Sequence, residues 1–245
     1  MLVMKTDVRF YRTCARSLFA ALCLATVTIS CRTNAQTTPD LRTKGERPVS
    51  YDEFGPQSSA NCLILLHGAS GLSVPFYKDQ AVYFGEHDFH VLLPHYFDAT
   101  HSVAATTDNY SVWAKVVDDL VALCHRSSSA QKVFLIGYSL GASVALAAGS
   151  QGVPVNAIAE WYGSLPDEFF YQMKGMPPLL ILHGERDNNI PIVNGQQLVK
   201  LCDMKQLHCD HHFYPDQAHG FSGKALEDAD QRTLSFFASV NRGPG

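Results

Sequence analysis

The sequence predicts an α/β fold with a mostly parallel central sheet and helices on both faces. Continuous apolar runs, typical of buried strands, occur at residues 62–66, 89–94, 133–136, 155–159, 179–182 and 212–214. Segments of helical length separate them, at residues 75–85, 109–126, 140–150, 194–204 and 225–240. Apolar strands that alternate with helices indicate a parallel sheet covered on both sides.

The elements differ in how clearly the sequence marks them. Residues 36–59 are polar and contain Pro39, Pro48 and Pro56, so they predict a lead-in segment with one or two edge strands. The later apolar runs are short enough to be pieces of buried helix, but their flanking glycines and prolines favour strands. In segment 109–126, apolar residues recur near every fourth position, which is typical of an amphipathic helix.

The composition indicates which classes of protein the chain can belong to. The chain has 245 residues, of which 46% are hydrophobic and 17% charged, as in an ordinary globular domain. No linker or internal repeat divides residues 36–245, which we interpret as a single domain. The formal net charge of -4 argues against a nucleic-acid partner, because such a partner requires a basic face.

Residues 1–35 have the pattern of a secretory signal peptide. Basic residues precede an apolar run at 18–29, and a polar stretch with small residues follows it. The run is shorter than the roughly 20 residues that a spanning helix needs. We predict cleavage before Gln36 and therefore an exported protein, periplasmic or secreted, with no stable membrane span afterwards. Lipoprotein anchoring at Cys31 and an uncleaved anchor are the alternatives.

Four cysteines follow the predicted leader: Cys62, Cys124, Cys202 and Cys209. An even number in an exported protein permits disulfides. The pair closest in sequence, Cys202 and Cys209, is the one most easily closed. The alternative is that all four are small, buried, unpaired side chains.

The most informative motif is Gly-Tyr-Ser-Leu-Gly at residues 137–141. It follows an apolar strand and opens a helical stretch of small residues, which is the context of a nucleophile elbow. Gly137 and Gly141 lack a Cβ, so the backbones of strand and helix can approach closely around Ser139. We therefore predict Ser139 as a nucleophile.

Asp187 and His219 are the predicted partners of this serine. A serine hydroxyl needs a base, and a histidine base needs a carboxylate to fix its tautomer. Both residues follow predicted strands, and the carboxyl ends of parallel strands share one edge of the sheet. Asp216 is a rival carboxylate, but it resembles a turn residue. The chain order Ser, Asp, His is that of the α/β-hydrolase fold, which we predict here.

An oxyanion hole requires backbone N–H groups aimed at the attacked carbonyl oxygen. We predict Leu140, the residue after the nucleophile, as one donor. The second donor is expected from the glycine-containing loop 67–71 after the first long strand, where Ala69 is our choice and Ser70 the next.

Four blocks of the sequence, at residues 65–72, 137–141, 183–191 and 218–221, together resemble the dienelactone hydrolase family. The resemblance implies an esterase-like enzyme of the α/β-hydrolase superfamily without a cofactor, acting on a small-molecule ester as a monomer or small oligomer. The founding members carry a cysteine where Ser139 stands and a glutamate where Gly68 stands. The resemblance thus implies a serine esterase rather than an enzyme for dienelactone itself.

A metal site is not predicted. His208, Cys209, His211 and His212 cluster in sequence, but neighbouring residues of a strand point to opposite faces of the sheet. We therefore expect no metal site, and the family resemblance implies no cofactor. The predicted function is hydrolysis of a carboxylic ester through an acyl-enzyme. A peptidase or thioesterase with the same triad, and a non-catalytic relative that binds a ligand, are the alternatives.

Overall fold

The computed structural model describes residues 36–41 and 48–241. The predicted signal peptide at 1–35, with its cleavage site and Cys31, lies outside these ranges. The strands are β1 Gln36–Leu41, β2 Val49–Phe54, β3 Asn61–Leu66, β4 His90–Pro94, β5 Lys132–Tyr138, β6 Ala157–Trp161, β7 Leu179–Gly184 and β8 Cys209–Tyr214. The α-helices are α1 Phe76–Glu86, α2 Thr107–Ser127, α3 Leu140–Ser150, α4 Asp167–Tyr171, α5 Val193–Lys205 and α6 Lys224–Asn241.

All eight strands form one sheet in the order β1-β2-β4-β3-β5-β6-β7-β8. The pairs β1–β2 and β2–β4 are antiparallel, and every other pair is parallel. The predicted α/β class with a mostly parallel sheet is confirmed, and the lead-in segment supplies two strands. Because β3 to β8 run in one direction, their carboxyl ends meet at the same edge.

The helices cover both faces, as predicted. On one face, α2, α3 and α5 pack against the sheet through residues that include Trp113, Val144 and Leu198. On the other face, α1 and α6 pack through Phe84 and Phe237. Successive residues of β3 and β5 alternate between the two clusters, which is why these strands are apolar throughout.

Two strands and one helix depart from the prediction. Strand β6 continues to Trp161, beyond the predicted end at residue 159. The buried Glu160 lies within this strand, and in the sequence its charge obscures where the apolar run ends. Strand β8 begins at Cys209, and the next residues, Asp210 and His211, are exposed and polar because the strand lies at the sheet edge. Helix α4 was not predicted, since five residues are too few for a helical periodicity.

The four cysteines of the described chain form two disulfides, Cys62–Cys124 and Cys202–Cys209. Of the two alternatives for these residues, unpaired side chains are therefore wrong. Cys62 lies in β3 and Cys124 in α2, so this bond ties the central sheet to a covering helix. The sequence did not single out this pair because its members are 62 positions apart and meet only through tertiary packing.

Within the described ranges, no helix has the length and apolar character that a membrane crossing requires.

The disulfide between Cys62 and Cys124 is expected to stabilise the fold more than the one between Cys202 and Cys209. Their sequence separations are 62 and 7 residues, and a longer closed loop restricts the unfolded chain more. Replacing both Cys62 and Cys124 by alanine should lower the free energy of unfolding by about 4 kcal/mol. Replacing the closer pair should cost about 2 kcal/mol. Urea unfolding of both double variants measures the difference, and an equal or larger loss for the closer pair would contradict this expectation.

Candidate active site

Ser139 stands between the end of β5 and the start of α3 in a backbone conformation that is rare for a residue with a side chain. Its φ is 55° and its ψ is -117°. The backbone holds it there. Ser139 N–H donates to Trp161 O at 2.9 Å, and Ser139 O accepts from the N–H groups of Ala142 and Ser143. The predicted sharp turn is thus present, with the hydroxyl at the carboxyl edge of the sheet.

The two glycines of the motif are required by close backbone contacts. A Cβ at Gly137 would collide with the carbonyl oxygen of Gly141, and a Cβ at Gly141 would collide with the carbonyl oxygens of Leu66 and His67. Strands β3 and β5 and the first turn of α3 therefore meet without any intervening side chain. This is the steric reason for glycine on both sides of the serine.

The structure brings Ser139, His219 and Asp187 into one hydrogen-bonded chain. His219 Nε2 lies 2.8 Å from Ser139 Oγ, and His219 Nδ1 lies 2.7 Å from Asp187 Oδ2. A carboxylate can only accept, so Nδ1 carries the proton and Nε2 is free to accept from the serine hydroxyl. The His219 side chain is 22% exposed, whereas that of Asp187 is fully buried.

Both oxygens of Asp187 have partners. Oδ2 accepts from His219, and Oδ1 accepts from the backbone N–H groups of Asn189 and Ile190 at 2.8 and 2.9 Å. The carboxylate therefore also closes the turn after β7, which fixes its orientation toward the histidine. Asp216, the rival carboxylate, is 79% exposed and pairs with Arg186 at 2.7 Å. The structure joins Asp187 to His219 and leaves Asp216 at the surface.

Aromatic rings and a neutral histidine surround this chain of hydrogen bonds. The Tyr162 ring lies edge-on to His219, with centroids 5.0 Å apart, and Phe221 packs against Tyr162 at the same separation. On the far side, His183 Nε2–H donates to Ile190 O at 2.8 Å. Burial lowers the pKa of His183, so it does not compete as a cation for the Asp187 carboxylate.

The two predicted oxyanion donors flank the serine. Leu140 is the first residue of α3, so its N–H has no acceptor within the helix. Gly68 lies against Ser139 on the side of β3: a Cβ added to it would be 3.4 Å from Ser139 Cβ. Ala69 follows directly and is exposed. Within the described chain, neither the Leu140 nor the Ala69 N–H bonds to another backbone group.

The loop after β3 is fixed by His67, whose role the sequence did not indicate. Its ring stacks on Tyr96 with centroids 4.3 Å apart, and Tyr96 Oη–H donates to His67 O at 2.7 Å. Burial lowers the pKa of His67 to about 4, so the ring is neutral at physiological pH. Its Nδ1–H then donates to Gly68 O at 2.9 Å. The backbone before Ala69 is thus held by two hydrogen bonds, one to the carbonyl oxygen of His67 and one to that of Gly68.

Glu160 is a second residue that sequence reasoning missed. It pairs with Gly137 across β5 and β6 and is fully buried beneath the start of α3. Oε2 accepts from Gly163 N–H at 2.8 Å, and Oε1 is buried without a partner in the described chain. Burial raises the pKa of Glu160 to about 8, so the group is mostly protonated at neutral pH. The available signal was one acidic residue inside an otherwise apolar strand.

No cluster of three or more His, Cys, Asp or Glu side chains in the described ranges could hold a metal ion.

The fold and the geometry at its carboxyl edge define an α/β hydrolase. The chain belongs to the dienelactone hydrolase family, whose model matches residues 55–240, and it is a hydrolase acting on ester bonds. The resemblance inferred from the four sequence blocks is confirmed. No curated protein matches the chain in a sequence comparison.

Solved structures with the same fold include esterases. A dienelactone hydrolase-like promiscuous phosphotriesterase from metagenomic libraries is 15% identical, with a TM-score of 0.71 over 85% of this chain and 98% of that one. Esterase 2 of Thermogutta terrifontis phosphorylated by paraoxon is 13% identical, with a TM-score of 0.69 over 86% and 96%. Its propionate-bound form has a TM-score of 0.66 at 13% identity over the same shares. At these identities the likeness establishes the fold.

The buried carboxyl of Glu160 should make stability depend on pH. Its pKa is about 8 in the folded chain and near 4.5 when exposed, so its protonated form is favoured by folding. The stability linked to it is complete below about pH 4.5 and is lost as pH rises to about 8. Glu160→Gln keeps the shape of the neutral acid and removes this loss. Relative to the wild type, its free energy of unfolding should rise with pH, by at most about 1.4 kcal/mol per pH unit.

Urea unfolding between pH 5 and pH 8 measures this slope, and Glu185→Gln, at an exposed position, is the control. A difference between Glu160→Gln and the wild type that stays constant over this range would contradict the prediction.

Proposed function

We propose that this protein is a serine esterase that hydrolyses a carboxylic ester through a covalent acyl-enzyme. The observation that carries the proposal is the continuous chain from Ser139 Oγ through both nitrogens of His219 to the buried carboxylate of Asp187. Family membership supports ester hydrolysis, and the geometry supports serine as its nucleophile.

In this mechanism Ser139 Oγ attacks the ester carbonyl carbon and transfers its proton to His219 Nε2. Asp187 stabilises the imidazolium, and the N–H groups of Leu140 and Ala69 donate to the tetrahedral oxyanion. The C–O bond to the alcohol breaks, and His219 gives its proton to that leaving oxygen. Water then attacks the acyl-enzyme, loses a proton to His219 and releases the carboxylic acid, and the proton returns to Ser139.

The neighbours with the same fold guide the choice of substrates and probes. Thermogutta terrifontis esterase 2 is described with propionate bound and as phosphorylated by paraoxon. We therefore propose short acyl esters as the first substrates to test and organophosphates as covalent probes. Thioester and amide analogues of the same acyl group test the thioesterase and peptidase alternatives, and a non-catalytic relative would turn over none of them.

Ser139→Ala is expected to abolish labelling by a fluorophosphonate and to reduce kcat for short esters by at least about 10⁴-fold, because the nucleophile is removed. Ser143→Ala, in the same helix and also buried, is the matched control. The measurements are gel-based labelling and initial rates of p-nitrophenyl ester hydrolysis. Absence of labelling in the wild type, or undiminished labelling in Ser139→Ala, would refute the assignment.

The assignment of Asp187, rather than Asp216, as the partner of His219 can be tested separately. Asp187→Asn should lower kcat by about 10⁴-fold because the amide no longer fixes the His219 tautomer. Asp216→Asn should leave it unchanged, since that carboxylate pairs with Arg186 at the surface. The reverse result would show that Asp216 is the third member.

We also propose that the protein is exported and that residues 1–35 are its cleaved leader. Two disulfides support an oxidising compartment. Cleavage before Gln36 would leave the eight described strands of the sheet intact. Expression with the full leader should yield mature protein that begins at Gln36 in N-terminal sequencing. A chain that retains Met1, or a lipid-modified Cys31, would contradict the proposal.

A further inference from the structure

Tyr77 places a phenol hydroxyl beside the serine, on the same side as the loop after β3. It is the second residue of α1 and is buried. A Cβ added to Gly68 would lie 2.6 Å from Tyr77 Oη and 3.4 Å from Ser139 Cβ. Because Tyr77 Oη and Ser139 Cβ both lie close to this Cβ position, the two atoms are at most about 6 Å apart. The hydroxyl therefore borders the space in which an acyl group on Ser139 would lie.

The Tyr77 ring is fixed by packing. It contacts the rings of Phe76, Tyr138 and His67, with centroids 5.4, 5.8 and 6.0 Å away. The nearest polar side chain recorded for its hydroxyl is Ser70, with Oγ at 3.4 Å, which is a marginal hydrogen-bond distance. The phenol proton is thus held near the serine without a strong partner of its own in the described chain.

Gly68 makes this position accessible. Any side chain there would meet the hydroxyl of Tyr77, and Gly68 is also the residue before Ala69, whose N–H we assign to the oxyanion hole. The Tyr77 hydroxyl and the residue that carries the Ala69 N–H therefore both adjoin Gly68, which lies against Ser139. Hydrogen-bond donors that converge on one point beside a nucleophile are the geometry of an oxyanion hole.

We propose that Tyr77 Oη–H is a third donor to the oxyanion, in addition to the N–H groups of Leu140 and Ala69. The inference rests on the proposed serine-esterase function. The hydroxyl keeps its proton throughout: it donates a hydrogen bond as negative charge forms on the carbonyl oxygen, and that bond weakens as the acyl-enzyme forms. Because the charge exists only in the tetrahedral species, Tyr77 should act on kcat rather than on KM.

The first test compares Tyr77→Phe with Tyr83→Phe, a control on the same helix whose hydroxyl accepts from Gln231 at the surface. Tyr77→Phe should lower kcat for short esters by about 10- to 100-fold with KM unchanged, while Tyr83→Phe behaves as the wild type. The rate of inactivation by paraoxon should fall by a similar factor, because the phosphoryl oxygen develops charge in the same hole. An unchanged kcat, an effect on KM alone, or an unchanged paraoxon rate would overturn the proposal.

A double-mutant cycle tests whether Gly68 acts on catalysis through the Tyr77 hydroxyl. Gly68→Ala places a methyl group 2.6 Å from Tyr77 Oη and should displace it, so kcat should fall. In the Tyr77→Phe background the same change should cost much less, because the hydroxyl that it displaces is already absent. Full additivity of the two losses would overturn the proposal. If Ser139 is labelled as expected while Tyr77→Phe retains full activity, only the role of Tyr77 fails. If Ser139 is not labelled, the proposed function fails first.

Discussion

The active-site geometry depends on the backbone conformation of Ser139. A positive φ at a serine costs about 1–3 kcal/mol and persists only where the surroundings impose it. Here the surroundings are rigid: all eleven residues of α3 are buried, and its first turn lies directly on the carbonyl oxygens of Leu66 and His67. Packing of the helix thus offsets the strain. The same contact brings β3 and its loop next to Ser139, so Ser139, Leu140 and the loop that carries Ala69 are positioned by one feature of the fold.

Burial also determines which groups near the site are charged. His67, His183 and Glu160 are all buried beside the site. Burial lowers the pKa of both histidines and raises the pKa of the glutamate, so in each case it favours the neutral form. Asp187 is buried as well, but two backbone N–H groups and His219 surround its carboxylate. Asp187 thus has three hydrogen-bond donors around its carboxylate, whereas His67, His183 and Glu160 act through hydrogen bonds in their neutral forms.

The sequence was sufficient for features that depend on local chemistry. Alternating apolar runs predicted the parallel sheet, and Ser139, Asp187 and His219 were predicted to meet because each follows a strand that ends at the same edge. It was insufficient where a residue acts through distant neighbours. Cys124 of α2 meets Cys62 of β3 only because the helix packs on the sheet. The Tyr77 hydroxyl lies near Ser139 only because Gly68, between them, has no side chain. Glu160 obscured the end of β6 because one charge inside an apolar run normally indicates a loop.

Gly68 connects the nucleophile to the rest of the first loop. A glutamate at this position, as in the founding members of the family, would need a Cβ where Tyr77 Oη leaves no room. The two arrangements therefore exclude each other sterically. They also differ electrostatically, because a carboxylate beside Ser139 would repel a negative oxygen forming there, whereas a hydroxyl can donate to it. In the proposed mechanism, Ser139 as nucleophile, glycine at 68 and tyrosine at 77 thus form one consistent set.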